Sequence, residues 1–543
     1  MYLAKKMSLA SRAVLKLSLA VSLLFLMGCS NDDSATPIKK DLADPAADSV
    51  SVNQHGDKPE SIDLTHVKLS DTEIAELRPS ITTFCADCHV MPRAVSSPMS
   101  GWKEEVDQGF MLYENSGRKD LVVPDRDKTL AFFQSQANES FDWHTEVFPQ
   151  PDVPLKQTSV RFPSTESSNR RSPAVTNVRW IDIGIHETPA LVYCDVNTGA
   201  VIGHWPQEKD TPTKRLGTLL QPVHVEPCDL DGDDRIDLVV ADIGEFDAND
   251  SDLGRVVWLR RKADSDSFQR IILVDELSRV ADAQPGDFDG DGDTDVLVAT
   301  FGWRNSGETF LLINDGVDPD HDDGRPAFSR RDVDDRHGPV NVIPVDINGD
   351  GHLDFVTLLS QEHERIEAFI NDGTGKFESQ EIYLAPDPAY GSSGIQLVDM
   401  DGDSDLDVLY TNGDSFDRGA KPYHSIQWLE NEGKYPYRHH HLCHMPGVLT
   451  ARAFDVDGDD DLDVVAVALL SAPLEARGQA SVLLLKQTEK GMFLPMTIEA
   501  DQQNHITVEH GDFNNDGKID FAVGNFIRKG ANTKPDLSIY LGQ

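Results

Sequence analysis

From residue 229 onward, short apolar runs follow acidic stretches at regular intervals. They are Leu238-Val239-Val240, Val296-Leu297-Val298, Phe355-Val356, Val408-Leu409-Tyr410, Val464-Val465-Ala466 and Phe521-Ala522-Val523. Runs this short, bounded by polar, glycine-containing segments, predict β-strands. A seventh run, Ala190–Tyr193, follows Trp180-Ile181-Asp182-Ile183-Gly184 without the acids. Ahead of residue 141 the period is helical. Ser70-Asp71-Thr72-Glu73 is a capping box, and Ile74, Leu77, Ile81 and Phe84 recur at helical spacing behind it. Gly101–Tyr113, carrying Trp102, Val106, Phe110 and Met111, predicts a second helix, and Thr129–Gln136 a third. At the start, Ala20–Met27 is apolar behind Lys5, Lys6, Arg12 and Lys16, too short to persist as a membrane span. Residues 30–66 lack hydrophobic periodicity and read as a flexible tether.

The acidic stretches are a repeat. Asp229, Asp231, Asp233 and Asp237 occupy positions one, three, five and nine of the first copy. The same positions hold Asp287, Asp289, Asp291 and Asp295, then Asp346, Asn348, Asp350 and Asp354, then Asp399, Asp401, Asp403 and Asp407. Asp455, Asp457, Asp459 and Asp463, and finally Asp512, Asn514, Asp516 and Asp520, complete the six copies. Their first acids are 58, 59, 53, 56 and 57 residues apart, a period that indicates a propeller or solenoid. Oxygen donors at this spacing suit Ca²⁺, with a carbonyl at position seven completing the shell. An EF-hand is excluded, because no Glu stands twelve residues in. Asp234, Ser404 and Asp460 replace glycine at position six, so those three loops are expected to be strained or to bind more weakly.

These repeats resemble the FG-GAP/VCBS type of the integrin α-subunit propeller and of many bacterial secreted proteins. The resemblance implies an all-β propeller over 165–543, with up to six Ca²⁺. The degenerate copy at Trp180–Gly184 makes a seventh blade without a cation. The chain's 543 residues carry a formal charge of −44, which opposes nucleic-acid binding. Six dications would offset twelve of those charges, in a structural role.

Cys85-Ala86-Asp87-Cys88-His89 ends the first predicted helix. Cys-x-x-Cys-His is the attachment signature of c-type haem: two thioethers to the vinyl groups and an imidazole on the iron. A thioredoxin-like pair does not need the His, and no second Cys-x-x-Cys completes a zinc site. The segment is similar to the single-haem module that precedes propeller repeats in bacterial surface proteins. That similarity favours Met111 as sixth ligand, with Met99, another ligand or an open site as alternatives. Met91 is too near His89 to reach the opposite haem face. Leu26-Met27-Gly28-Cys29 resembles a bacterial lipobox, which implies cleavage before Cys29, lipid on its sulfur, and a cell-envelope location at the outer membrane or periplasmic face.

The expected organisation is therefore multidomain: a lipoprotein signal peptide (1–28), a tether (29–66), a small all-α cytochrome c-like domain (67–140), a linker (141–164) and an all-β seven-bladed β-propeller (165–543). The expected function is membrane-anchored electron transfer to or from an unknown redox partner, with the propeller as a docking platform. The alternatives are a propeller oxidoreductase that passes electrons from a sugar or alcohol to the haem, and a glycan-binding adhesin. No catalytic set is recognisable, though Phe301–Arg304, Gln361–Glu364, Asn412–Asp414 and Tyr423-His424 are polar or aromatic loops. In Arg438–His444 strand alternation places His439 and His441 on one face and His440 and His444 on the other. Cys194, Cys228 and Cys443 read as buried free thiols.

Overall fold

The computed structural model describes residues 68–543, apart from 144–146, 163–171, 211, 417–418, 471–477, 503 and 529–533. The expected signal peptide, the tether and Cys29 lie outside the described residues. Among the described residues no helix is long and apolar enough to cross a membrane.

Seven four-stranded antiparallel sheets form the blades of a β-propeller. The first strand of each blade touches the first strands of both neighbours, so these seven strands ring the axis. The second strands are the apolar runs of the sequence. Ala190–Asp195, Asp237–Asp242, Asp295–Thr300, Asp354–Leu359, Asp407–Thr411, Asp463–Ala468 and Asp520–Asn525 are buried at every residue. Each is covered by an adjacent blade on both faces, which is why the sequence there does not alternate. The apolar cores lie between blades. Val239 and Trp258 of the second blade pack with Val296 and Phe310 of the third. Val178 and Tyr193 of the first blade pack with Phe513 and Ile539 of the last, which closes the ring.

The degenerate copy is the first blade, Val175–Ile181 to Thr213–Thr218. Ring closure departs from expectation. Leu155–Val160, placed in a linker, pairs with Leu537–Gly542 and forms the outer strand of the seventh blade. Four of its six residues are exposed, so its sequence shows no apolar periodicity.

Three α-helices precede the propeller among the described residues: α1 (Asp71–Cys85), α2 (Trp102–Asn115) and α3 (Arg126–Gln134). The capping box forms as read: Ser70 N donates to Glu73 Oε2 at 2.8 Å and Glu73 N to Ser70 Oγ at 3.4 Å. Ile81, Trp102, Val106, Phe110, Phe132 and Phe133 make the core, with Trp102 stacked on Phe133 at 4.1 Å. Met111 does not share the buried stripe of α2; it is 44% exposed. The helices meet the propeller where Arg93 N donates to Asp387 Oδ2 at 2.8 Å and Tyr423 Oη to Ser96 O at 3.3 Å.

Candidate functional sites at the two ends of the propeller

Every acidic loop joins the first strand of its blade to the second, and position nine is the first residue of that second strand. The six loops therefore share one end of the ring. Within them the carboxylates have a division of labour. Position one accepts loop amides: Asp399 takes those of Gly402, Asp403 and Ser404 at 2.7, 3.1 and 2.9 Å. Position five accepts the amide of position seven, at 2.9–3.1 Å in all six loops. Position three is turned inward. Oδ1 of Asp231, Asp289, Asp401 and Asp457 is buried without a hydrogen-bond partner. A buried carboxylate oxygen facing other carboxylates is costly unless a cation neutralises it. In the second, fifth and sixth blades positions one, three and nine bring oxygens within 4.8 Å of one another, and in the third blade positions one, three and five do. These donor sets fit a hard dication. In the fourth blade Asn348 Nδ2 instead donates to Asp350 Oδ2 at 2.9 Å.

Position nine does more than the spacing indicated. In five blades one of its oxygens accepts the amide of position two at 2.9–3.2 Å. The other accepts an amide at the end of the third strand at 2.7–2.9 Å. Asp237 likewise accepts Arg261 N, at the end of the third strand, at 2.6 Å, and in addition Trp258 Nε1 at 2.8 Å. The residue thus clips the loop to its sheet. Burial pushes the Asp237, Asp295, Asp407 and Asp463 carboxyls up to about 6. Asp234, Ser404 and Asp460 hold φ of 62°, 79° and 69°, the left-handed backbone that glycine supplies at this position elsewhere.

The opposite end carries the thiol–imidazole motif. The first strands begin there, and a cavity of about 1700 Å³ reaches from the helices across their ends. Cys85, Cys88, His89 and Met111 line it, with Phe246, Trp303, Glu362 and Phe416 from the propeller loops. Met99 does not line it; Met99 N donates to Asn138 O at 2.8 Å. Cys85 and Cys88 are free thiols. Burial pushes Cys85 up to about 11, and burial with the Asp87 charge raises Cys88, so neither is a thiolate at neutral pH. His89 Nδ1 lies 2.8 Å from Val90 O, which leaves Nε2 for a ligand bond. Arg118 pairs with Asp87 at 2.6 Å beside Cys88.

Two loops singled out in the sequence prove architectural. Asn412 is fully buried and accepts Ser425 N, Ser425 Oγ and Gln427 Nε2, each at 2.9 Å. His424 is buried and its Nδ1 accepts Gly447 N at 3.2 Å. The histidine strand is also rearranged. A register shift opposite Leu442 changes the alternation and sets His441 Nε2 3.3 Å from His444 Nδ1, rather than on opposite faces. His439 pairs with Gln427 and His440 with Glu430. Cys194, Cys228 and Cys443 are buried and unbridged. Asp387 and its contact with Arg93 were not legible, because neither residue belongs to a repeat or motif.

Residues 287–357 and 346–410 match the FG-GAP-like repeat family. The comparison with curated proteins finds no match. The chain therefore carries FG-GAP-like repeats and folds as a seven-bladed β-propeller, an architecture compatible with a docking or binding platform.

Proposed function

We propose that this protein is a membrane-anchored c-type cytochrome whose calcium-loaded propeller is the platform on which a redox partner or substrate docks. The observation that carries this reading is the set Cys85, Cys88 and His89 lining one cavity with the propeller loops. The donor set fits haem c: two unbridged thiols three residues apart, and an imidazole whose Nδ1 is held by a carbonyl. Cys85 and Cys88 would hold the porphyrin, and His89 and Met111 would bind the iron. The group would supply one-electron transfer. Ca²⁺ would occupy the acidic loops, with the orphaned position-three oxygens as its strongest support. Cys29 would carry the lipid, at the cell envelope.

The test is the optical spectrum of the mature protein made alongside a haem-maturation system. A sharp c-type α band, with haem that stays on the polypeptide under denaturing conditions, is expected. Cys85→Ser with Cys88→Ser should abolish both. No covalent haem in the wild type overturns the reading and leaves a calcium propeller. The continuity of the cavity between motif and propeller loops favours a second reading, an oxidoreductase that oxidises a sugar or alcohol beside the haem. Substrate-dependent haem reduction separates the two.

A further inference from the structure

We infer that His337, Glu362 and His363 form a site for one transition-metal dication, open toward the cavity that the helices share with the propeller. His337 comes from the connector between the third and fourth blades, and the other two from the loop after Asp354–Leu359. One ligand atom from each lies within 4.8 Å of the others. His337 Nε2 is 2.8 Å from Glu362 Oε1, and the two imidazole rings are 5.0 Å apart. His363 Nε2 is buried and has no hydrogen-bond partner. A buried ring nitrogen left unpaired beside a second imidazole and a carboxylate is a donor set suited to a cation.

The backbone around these residues is specified. Gly307 has φ of 126°, and a Cβ there would come within 2.6 Å of the His337 Cβ. Gln361 and Glu364, which frame Glu362 and His363, hold left-handed φ of 57° and 41° without being glycine. Buried Glu364 pins the loop by accepting Gly391 N at 3.1 Å and Ser392 N at 2.8 Å. Strain of this kind persists where surrounding structure over-determines a site.

Two imidazoles and one carboxylate are the three-ligand set of open zinc and non-haem iron centres, and nitrogen donors select against Ca²⁺. Arg336 and Arg365 flank the site, and both are engaged by Glu367. Glu362 is the member of the set that lines the cavity. The site does not depend on the haem reading.

The experiment uses the tag-free full chain, saturated with Ca²⁺ and then titrated with Co²⁺. After desalting, elemental analysis is expected to show one Co²⁺ per chain, with visible bands of nitrogen ligation. His363→Ala and the near-isosteric Glu362→Gln should each lose that equivalent, while His441→Ala, which removes one of the other close imidazole pair, should keep it. No Co²⁺ retained against excess Ca²⁺ overturns the site. So does an equivalent that survives both His363→Ala and Glu362→Gln, or one lost on His441→Ala alone.

Discussion

Within one loop, position three and position nine should fail differently. Asp463 is fully buried and accepts Val456 N at 3.1 Å and Gln487 N at 2.8 Å. Asp463→Ala leaves two buried amides unpaired, at about 1–3 kcal/mol each. Removing the buried charge returns part of that, because burial pushes this carboxyl up to about 6. The net loss expected at pH 7 is about 2 kcal/mol. Asp457, at position three, has a partnerless Oδ1 and a surface ion pair to Lys486. Without calcium, Asp457→Ala should cost under about 1 kcal/mol. With calcium at about ten times the dissociation constant, the bound ion adds about 1.4 kcal/mol, which the variant forfeits. Urea unfolding followed by tryptophan fluorescence, in Ca²⁺ and in EGTA, separates the two. The Asp457→Ala deficit should shrink in EGTA, and the Asp463→Ala deficit should remain. Loss of the Asp463→Ala deficit in EGTA would refute the clip and make position nine a ligand alone.

On the haem c reading proposed above, Met111→Ala should remove the methionine–iron charge-transfer band of the oxidised protein and open the iron of the reduced protein to carbon monoxide; the same effect from Met99→Ala instead would reassign the ligand. Asp460→Gly should stabilise the sixth blade by about 0.5 kcal/mol, because Asp460 holds φ of 69°, and a lowered melting temperature would contradict this. Deleting residues 155–160 exposes the edge of Leu537–Gly542 and should lower the melting temperature and promote association, read by calorimetry and size exclusion. Burial pushes His204 down to about 4, so the folded protein keeps it neutral while the unfolded chain gains a proton below about 6.5. Stability is then full above about pH 6.5 and falls toward about pH 4. His204→Gln should gain on the wild type in urea midpoint between pH 7 and pH 5, and a pH-independent gap would count against the assignment.

What the sequence revealed tracks what is buried on both sides. The second strands were legible because each is covered by two blades, and the spacing of the acids marked six of the seven. Blade one was legible from the degenerate copy Trp180–Gly184 and the run Ala190–Tyr193 behind it. Leu155–Val160 was not, since an outer strand with exposed Lys156, Gln157, Thr158 and Ser159 has the texture of a linker. The acidic positions were found, but not the clip at position nine, whose third-strand partners lie 17–24 residues away. One extra residue at Leu442 brings His444 to the side of His441, which no alternation rule anticipates. His337 stands 25 residues before Glu362 in a different connector, and only the closure of two adjacent blades brings them together.

The pairing of Leu155–Val160 with Leu537–Gly542 sets an order of events. Leu155 finds its partner in Gly542, so a ribosome must add nearly the whole propeller before the seam can be sealed. Until then Leu155–Val160 has no strand to pair with, and the first and last blades have no shared core. Blades can stack one after another as they emerge, but the ring gains its circular cooperativity in a single late, long-range step. The helical segment precedes that seam on the chain. Any enzyme that modifies its cysteines can therefore reach Cys85 and Cys88 before the propeller beneath them is closed.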